Sequence, residues 1–316
     1  MSSQVAVASL GGTITMTGSG AVSPTLGAKD LVQGLEVGEI ATLATTPGAS
    51  LTFTTLLEAF DWANEQVSRG AQGVVIIQGT DTIEETAYFF DCLWPHEEPL
   101  VVTGAMRHPG LPGADGPANL AAAVAVASAP GSGGRGALLV LNDEIHAARW
   151  VRKSHSSLPS AFESFPGPLG LVVEGRPHYF HPAHRLPALP RPQEVPAVPL
   201  VEATLDDDGS LLDWLNVGGV VVAATGVGHV SEGMAEAISR ARFPVVVATR
   251  TGAGTTFRAT YGFSGSESDL IARGAVMAGW LCPRKARVLL RLTLGAEQPV
   301  EAVFANRGSV FLSHCR

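Results

Sequence analysis

Val74 to Glu85, VVIIQGTDTIEE, constrains the fold more than any other stretch: an apolar strand runs straight into Gly79-Thr80-Asp81-Thr82 and then into a helical pattern. A strand that ends in small hydroxyl and carboxylate residues just before a helix puts reactive side chains at a carboxyl edge, beside unpaired backbone N–H groups. The same D-x-x-E, Asp81 with Glu84, is a capping-box pattern. The two readings are compatible, because a capped helix start still offers Thr80 to a ligand.

Units of this kind recur along the chain. Val5 to Leu10 is a short strand closed by Gly11-Gly12, with Thr13 next. Leu56, Leu57, Phe60, Ala63, Asn64 and Val67 keep helical spacing up to Arg69-Gly70. Further strands are expected at Leu100–Thr103 and Leu138–Leu141, and helices at Ile83–Leu93 and Asn119–Ala129. Strands alternating with helices predict an α/β fold with a parallel sheet. The polar block Asp143 to Ser157 breaks the pattern and carries Arg149, Arg152 and Lys153. Proline-dense Pro177 to Pro199 reads as an extended linker. It separates a larger N-terminal α/β domain, 1–190, from a smaller C-terminal α/β domain, 200–316. Val220–Ala224 and Pro244–Thr249 are predicted there as strands, Ser231–Arg240 and Asp269–Gly279 as helices.

Composition bounds the partners. With 46% hydrophobic residues, disorder is not expected, and a net charge of −8 without a basic block disfavours nucleic acid and anionic membrane. The start, MSSQVAVASLGG, has no positive n-region and reads as a first strand rather than a signal peptide. Cys92, Cys282 and Cys315 form no CxxC pattern, which fits a reduced, cytoplasmic setting. His178, His181 and His184 have a ligand-like spacing, yet they lie in the proline segment without a second cluster, so no metal is expected. Gly226-Val227-Gly228 lacks a third glycine and a following acidic residue, so no dinucleotide cofactor is expected either. Thr15 to Ala28 reads as a mobile flap over Thr13. Threonine needs a base to become a nucleophile, and a partly buried Lys153 would serve if its pKa fell from the reference of about 10.4.

Taken in order, LGGTI (10–14), QGTDTIEETAYF (78–89), VTGAMR (102–107), DGPANL (115–120), the NDEIHAARWVRKSHSS block, GPLG (167–170) and PRKARVLL (283–290) resemble the bacterial, threonine-dependent L-asparaginase family. That resemblance implies hydrolysis of L-asparagine to L-aspartate and ammonia without cofactor, in a homodimer or homotetramer. It implies that Thr13 is the nucleophile, that Thr80 works with Lys153, that Asp81 binds substrate, and that the Ala105 carbonyl faces the leaving amide. Glu267 of the partner subunit would lie near the substrate ammonium. Which threonine is acylated stays open at this point.

The departures from the family pattern are specific. Val22 stands in place of a flap tyrosine, Gly48-Ala49 in place of the Ser-Gln pair that holds substrate, Ser231 in place of an asparagine after Gly-x-Gly, and Gln78 in place of a histidine. Ser50 is the hydroxyl next to the altered loop. A lost contact to a charged group costs about 1.5 to 3 kcal/mol if nothing replaces it. A preference for L-glutamine or another amide, and a non-catalytic amino-acid sensor, are therefore the alternatives.

Overall fold

The computed structural model describes residues 5–18 and 21–309. Cys315 lies outside the described residues, as do Ser19 and Gly20 of the expected flap. Two compact units divide the chain, one ending at Ala188 and the other starting at Leu189.

In the first unit the strands are β1 (Val5–Ser9), β2 (Met16–Thr17), β3 (Ser23–Pro24), β4 (Ile40–Thr42), β5 (Gly73–Ile77), β6 (Leu100–Thr103), β7 (Ala137–Leu141), β8 (Glu144–Ala147), β9 (Val151–Lys153), β10 (Phe162–Ser164), β11 (Gly170–Val173) and β12 (Arg176–Tyr179). The helices are α1 (Ala28–Leu31), α2 (Phe53–Ser68), α3 (Ile83–Leu93) and α4 (Gly116–Ser128). An eight-stranded sheet runs β12-β11-β8-β7-β6-β5-β1-β4. From β4 to β7 it is parallel, and from β7 to β12 it is antiparallel.

Buried parallel strands are apolar on both faces, and every residue of β5 and β6 is buried. Val5, Val7, Val75, Ile77, Val101, Leu138 and Val140 point to one face and cluster with Leu120, Ala123 and Val126 of α4. On the other face lie α2 and α3, with Phe60, Phe89 and Trp94 buried. Fully burying one such side chain contributes about 1.5–3 kcal/mol. The parallel core thus holds rigid the strand ends that carry the site.

The parallel run ends at Asn142-Asp143, whose φ values are 52° and 60°. Both lie in the left-handed region that a two-residue hairpin turn requires, so β7 turns back into antiparallel β8. The linker starts later than expected, because Pro177 lies in edge strand β12, opposite Val172, where a residue without an N–H is tolerated. In the segment expected as a flap, β2 pairs antiparallel with β3, Met16 facing Pro24, and the N–H groups of Thr25 and Leu26 donate to the Thr15 carbonyl.

The second unit has strands β13 (Leu200–Glu202), β14 (Val220–Ala224), β15 (Val245–Thr249) and β16 (Val276–Met277) in a four-stranded parallel sheet of that order. Its helices are α5 (Ser210–Asp213), α6 (Glu232–Arg240), α7 (Glu267–Ala272), α8 (Pro283–Gly295) and α9 (Val300–Arg307). The helix expected over Asp269–Gly279 is instead α7 followed by β16. Gly274, at φ +92°, ends the helix and lets the chain re-enter the sheet beside β15. Among the described residues no helix is long and apolar enough to cross a membrane.

Candidate active site

Two backbone segments of the first unit converge on Gly79. A Cβ on Gly12 (φ +95°) would lie 2.1 Å from the Gly79 nitrogen, and one on Gly48 would lie 2.9 Å from the Gly79 oxygen. Only glycines allow this approach. The contact sets Thr13 and Thr80, each the next residue on its chain, at the same sheet edge. Thr13 opens a short 3₁₀ turn after β1 and is half-buried. Gly48, Ala49 and Ser50 form another such turn, in which Gly48 is buried and Ala49 and Ser50 are exposed.

Ala105 is fixed from the neighbouring strand. The Met106 and Arg107 N–H groups donate to the Asp115 carboxylate at 2.9 and 2.8 Å, and Asn119 Nδ2 donates to the Gly104 carbonyl at 3.0 Å. Gly116 at the start of α4 packs against Ile14, which follows Thr13, and against the Ala105 methyl.

Lys153 arrives from β9, 73 residues beyond Thr80. Its Nζ donates to Thr80 Oγ1 at 3.0 Å and lies 3.5 Å from Asp81 Oδ1. The lysine side chain is 17% exposed and that of Asp81 64%. Thr80 is therefore a buried hydroxyl held by the Lys153 amine, and Asp81 is the accessible carboxylate beside it.

Glu84 behaves differently from the capping-box expectation. Helix α3 begins at Ile83 with Thr82 in the N-cap position and no side-chain cap. Glu84 is buried, and its Oε2 accepts the backbone N–H of Lys153. It pins the strand that carries the lysine to α3.

A second tie, invisible in the sequence, holds the same hairpin. Ser164 on β10, the partner strand of β9, meets His146 Nδ1 of β8 at 2.9 Å. Glu144 Oε2 is 3.2 Å from His146 Nε2, but off the direction of a hydrogen bond. Burial holds the His146 pKa down at about 4, so the ring is neutral in the native protein near neutrality. Burial, and then Glu163, pushes the Glu144 carboxyl up. For His146 the unfolded chain binds the extra proton between pH 6.5 and about 4. Its contribution is complete above pH 6.5, and up to about 3 kcal/mol is lost as pH falls through that window. Thermal melts from pH 7 to 4 are expected to show a steeper loss of Tm for the native chain than for His146→Asn.

In the second unit, Glu267 starts α7. It is buried, and Oε1 accepts the N–H groups of Thr260 and Tyr261, each at 2.7 Å. Oε2 is 3.1 Å from His229 Nε2. Desolvation pushes this carboxyl up, but the hydrogen bonds from Tyr261, Thr260 and His229 outweigh it and hold the pKa low. The residue after Gly226-Val227-Gly228 that meets Glu267 is thus His229. Ser231 caps α6, accepting the Met234 N–H at 3.0 Å. The ring of His229 also packs edge-on against Tyr261 and Phe263. Among the described residues no three His, Cys, Asp or Glu side chains gather as a metal site; His178, His181 and His184 are exposed.

The family models for the asparaginase N-terminal domain and the glutaminase/asparaginase C-terminal domain match residues 4–185 and 197–305. This chain belongs to the asparaginase family. It is accordingly a hydrolase acting on amides. A probable L-asparaginase of Deinococcus radiodurans is 36% identical over 77% of the chain and 78% of the relative. An L-asparaginase of Bacillus licheniformis is 31% identical over 94% and 97%. The crystal structure of a probable cytoplasmic L-asparaginase from Campylobacter jejuni superposes with a TM-score of 0.85 at 28% identity, covering 95% of this chain and 98% of that one.

Proposed function

We propose that this asparaginase-family chain hydrolyses L-asparagine to L-aspartate and ammonia through a threonine nucleophile, acting in the cytoplasm as a homodimer or homotetramer. The observation that carries the proposal is the Lys153 Nζ contact to Thr80 Oγ1 with Asp81 alongside. A lysine and a hydroxyl in hydrogen-bond contact relay a proton to and from a reacting group in a way neither does alone.

In this mechanism Thr13 Oγ1 attacks the side-chain amide carbon. The Thr80–Lys153 pair takes the hydroxyl proton and returns it to the leaving nitrogen, so that the C–N bond breaks and ammonia departs. Water then attacks the acyl-threonine and releases aspartate. Backbone N–H groups at the strand ends stabilise the oxyanion. Asp81, as the exposed carboxylate of the pair, receives the substrate ammonium. Glu267, buried and bonded to Thr260, Tyr261 and His229, supports its own loop.

Ammonia release from asparagine by the purified protein tests the proposal, and Thr13→Ala is expected to abolish it. Unaltered turnover by that variant would remove Thr13 as nucleophile. Gly48 and Ala49 offer no side-chain hydrogen bond to the amino-acid end of a substrate, which favours a tolerant site as the second reading. Equal or higher rates on glutamine than on asparagine would establish it. Tight aspartate binding by calorimetry without ammonia release would make the chain a sensor instead.

A further inference from the structure

We infer that Gln78 is a positioning residue that ties the Gly48–Ser50 turn to the Thr80–Asp81 turn and so sets how the site receives its substrate. The kinetic part of this inference rests on the proposed activity; the structural part does not.

Gln78 is the last residue before Gly79, is fully buried, and is fixed to β6 by its backbone N–H, which donates to the Thr103 carbonyl at 2.9 Å. Its Nε2 donates to the Gly79 carbonyl at 3.3 Å and to Thr82 Oγ1 at 3.1 Å. The Thr82 hydroxyl in turn donates to the Gly48 carbonyl at 2.8 Å. A hydroxyl has one proton, and Thr82 spends it on Gly48, so Thr82 must accept from Gln78. The amide orientation follows: reversed, it would set an oxygen against the Gly79 oxygen. One side chain thus grips both sides of the seam where the Gly48 turn packs on Gly79, whose oxygen would be only 2.9 Å from a Cβ on Gly48.

The same orientation leaves Gln78 Oε1 buried with no hydrogen-bond partner. A side chain kept only to fill the core would carry no such orphaned acceptor, since an apolar one of the same size avoids it. The amide is retained for what its donor end holds, which is the turn presenting Ala49 and Ser50. Because those residues stand where the resemblance places substrate binding, loosening them acts on substrate affinity more than on the chemical step.

Hydrogen–deuterium exchange of the full chain without ligand, followed over residues 46–52, tests the tie directly. The Ser50 and Leu51 amides there bond to the Pro47 and Gly48 carbonyls. Gln78→Leu and Thr82→Val are each expected to speed exchange in this segment about tenfold or more, with β6 unchanged, and the double variant to add little, as links of one relay do. On asparagine, both should raise KM about tenfold with kcat within about threefold, and Gln78→His, which keeps a ring N–H, should restore KM. Thr82→Val removes one hydroxyl and carries the test if Gln78→Leu does not fold. Unchanged exchange over 46–52 in the folded variants overturns the inference whatever the activity. Absence of ammonia from the native enzyme overturns the proposed function and leaves the exchange result to decide on Gln78.

Discussion

Lys153→Met is expected to lower kcat on asparagine by about 10²- to 10⁴-fold, the range that removal of a positioned acid–base group produces. Methionine fills much of the same volume, so packing changes little. What disappears is the 3.0 Å donation to Thr80 Oγ1 and the amine 3.5 Å from Asp81. The strand itself stays in place, because Glu84 accepts the backbone N–H of residue 153 whatever its side chain, and β9 keeps its pairing with β10. Melting temperature should therefore hold nearly constant while turnover falls. Steady-state ammonia release, measured beside a thermal melt, separates the two quantities. Turnover within about threefold of the native enzyme would remove the Thr80–Lys153 pair from the proton path.

The contrast between Lys153 and Glu84 shows what the sequence could and could not reveal. Helix α3 is predicted over the same residues it occupies, and β6 likewise, because periodicity and Pro95 mark their limits locally. The Thr80–Lys153 contact has no local signature. It spans 73 residues and depends on the left-handed Asn142-Asp143 turn, which sends the chain back as β8 before β9 can form. Only the family resemblance placed the two residues together. Glu84 was legible as a capping pattern because it lies three residues after Asp81, yet a buried backbone N–H on β9 competes for the same carboxylate and wins. His146 and Ser164 are ordinary residues in sequence, joined only by a hairpin crossing. Likewise the contact of His229 with Glu267, 38 residues apart, has no mark in the sequence. Local chemistry marks elements and their ends; pairings between elements need the fold.

Gly12→Ala is expected to be the most damaging single methyl in the first unit. The added Cβ would stand 2.1 Å from the Gly79 nitrogen and 2.2 Å from its Cα, both backbone atoms of a turn that closes a buried strand. No rotamer relieves such a contact, so β1 and β5 must part or the Gly79 turn must shift. Gly12 also has φ +95°, which an L side chain adopts at a cost. Overpacking of this kind typically costs 1–3 kcal/mol, so with the backbone strain a loss of about 3 kcal/mol is expected, which for a domain of this size corresponds to a Tm lower by roughly 6–12 °C. Gly34→Ala separates the two causes: Gly34 has a similar φ of +85° and nothing within 4 Å of its would-be Cβ. That variant should lose only the conformational part, about 1 kcal/mol. If the two alanines destabilise equally, the Gly12–Gly79 approach is not tight in solution. If Gly12→Ala also loses ammonia release at temperatures where it is still folded, the glycine contact is what brings the two threonines to one substrate.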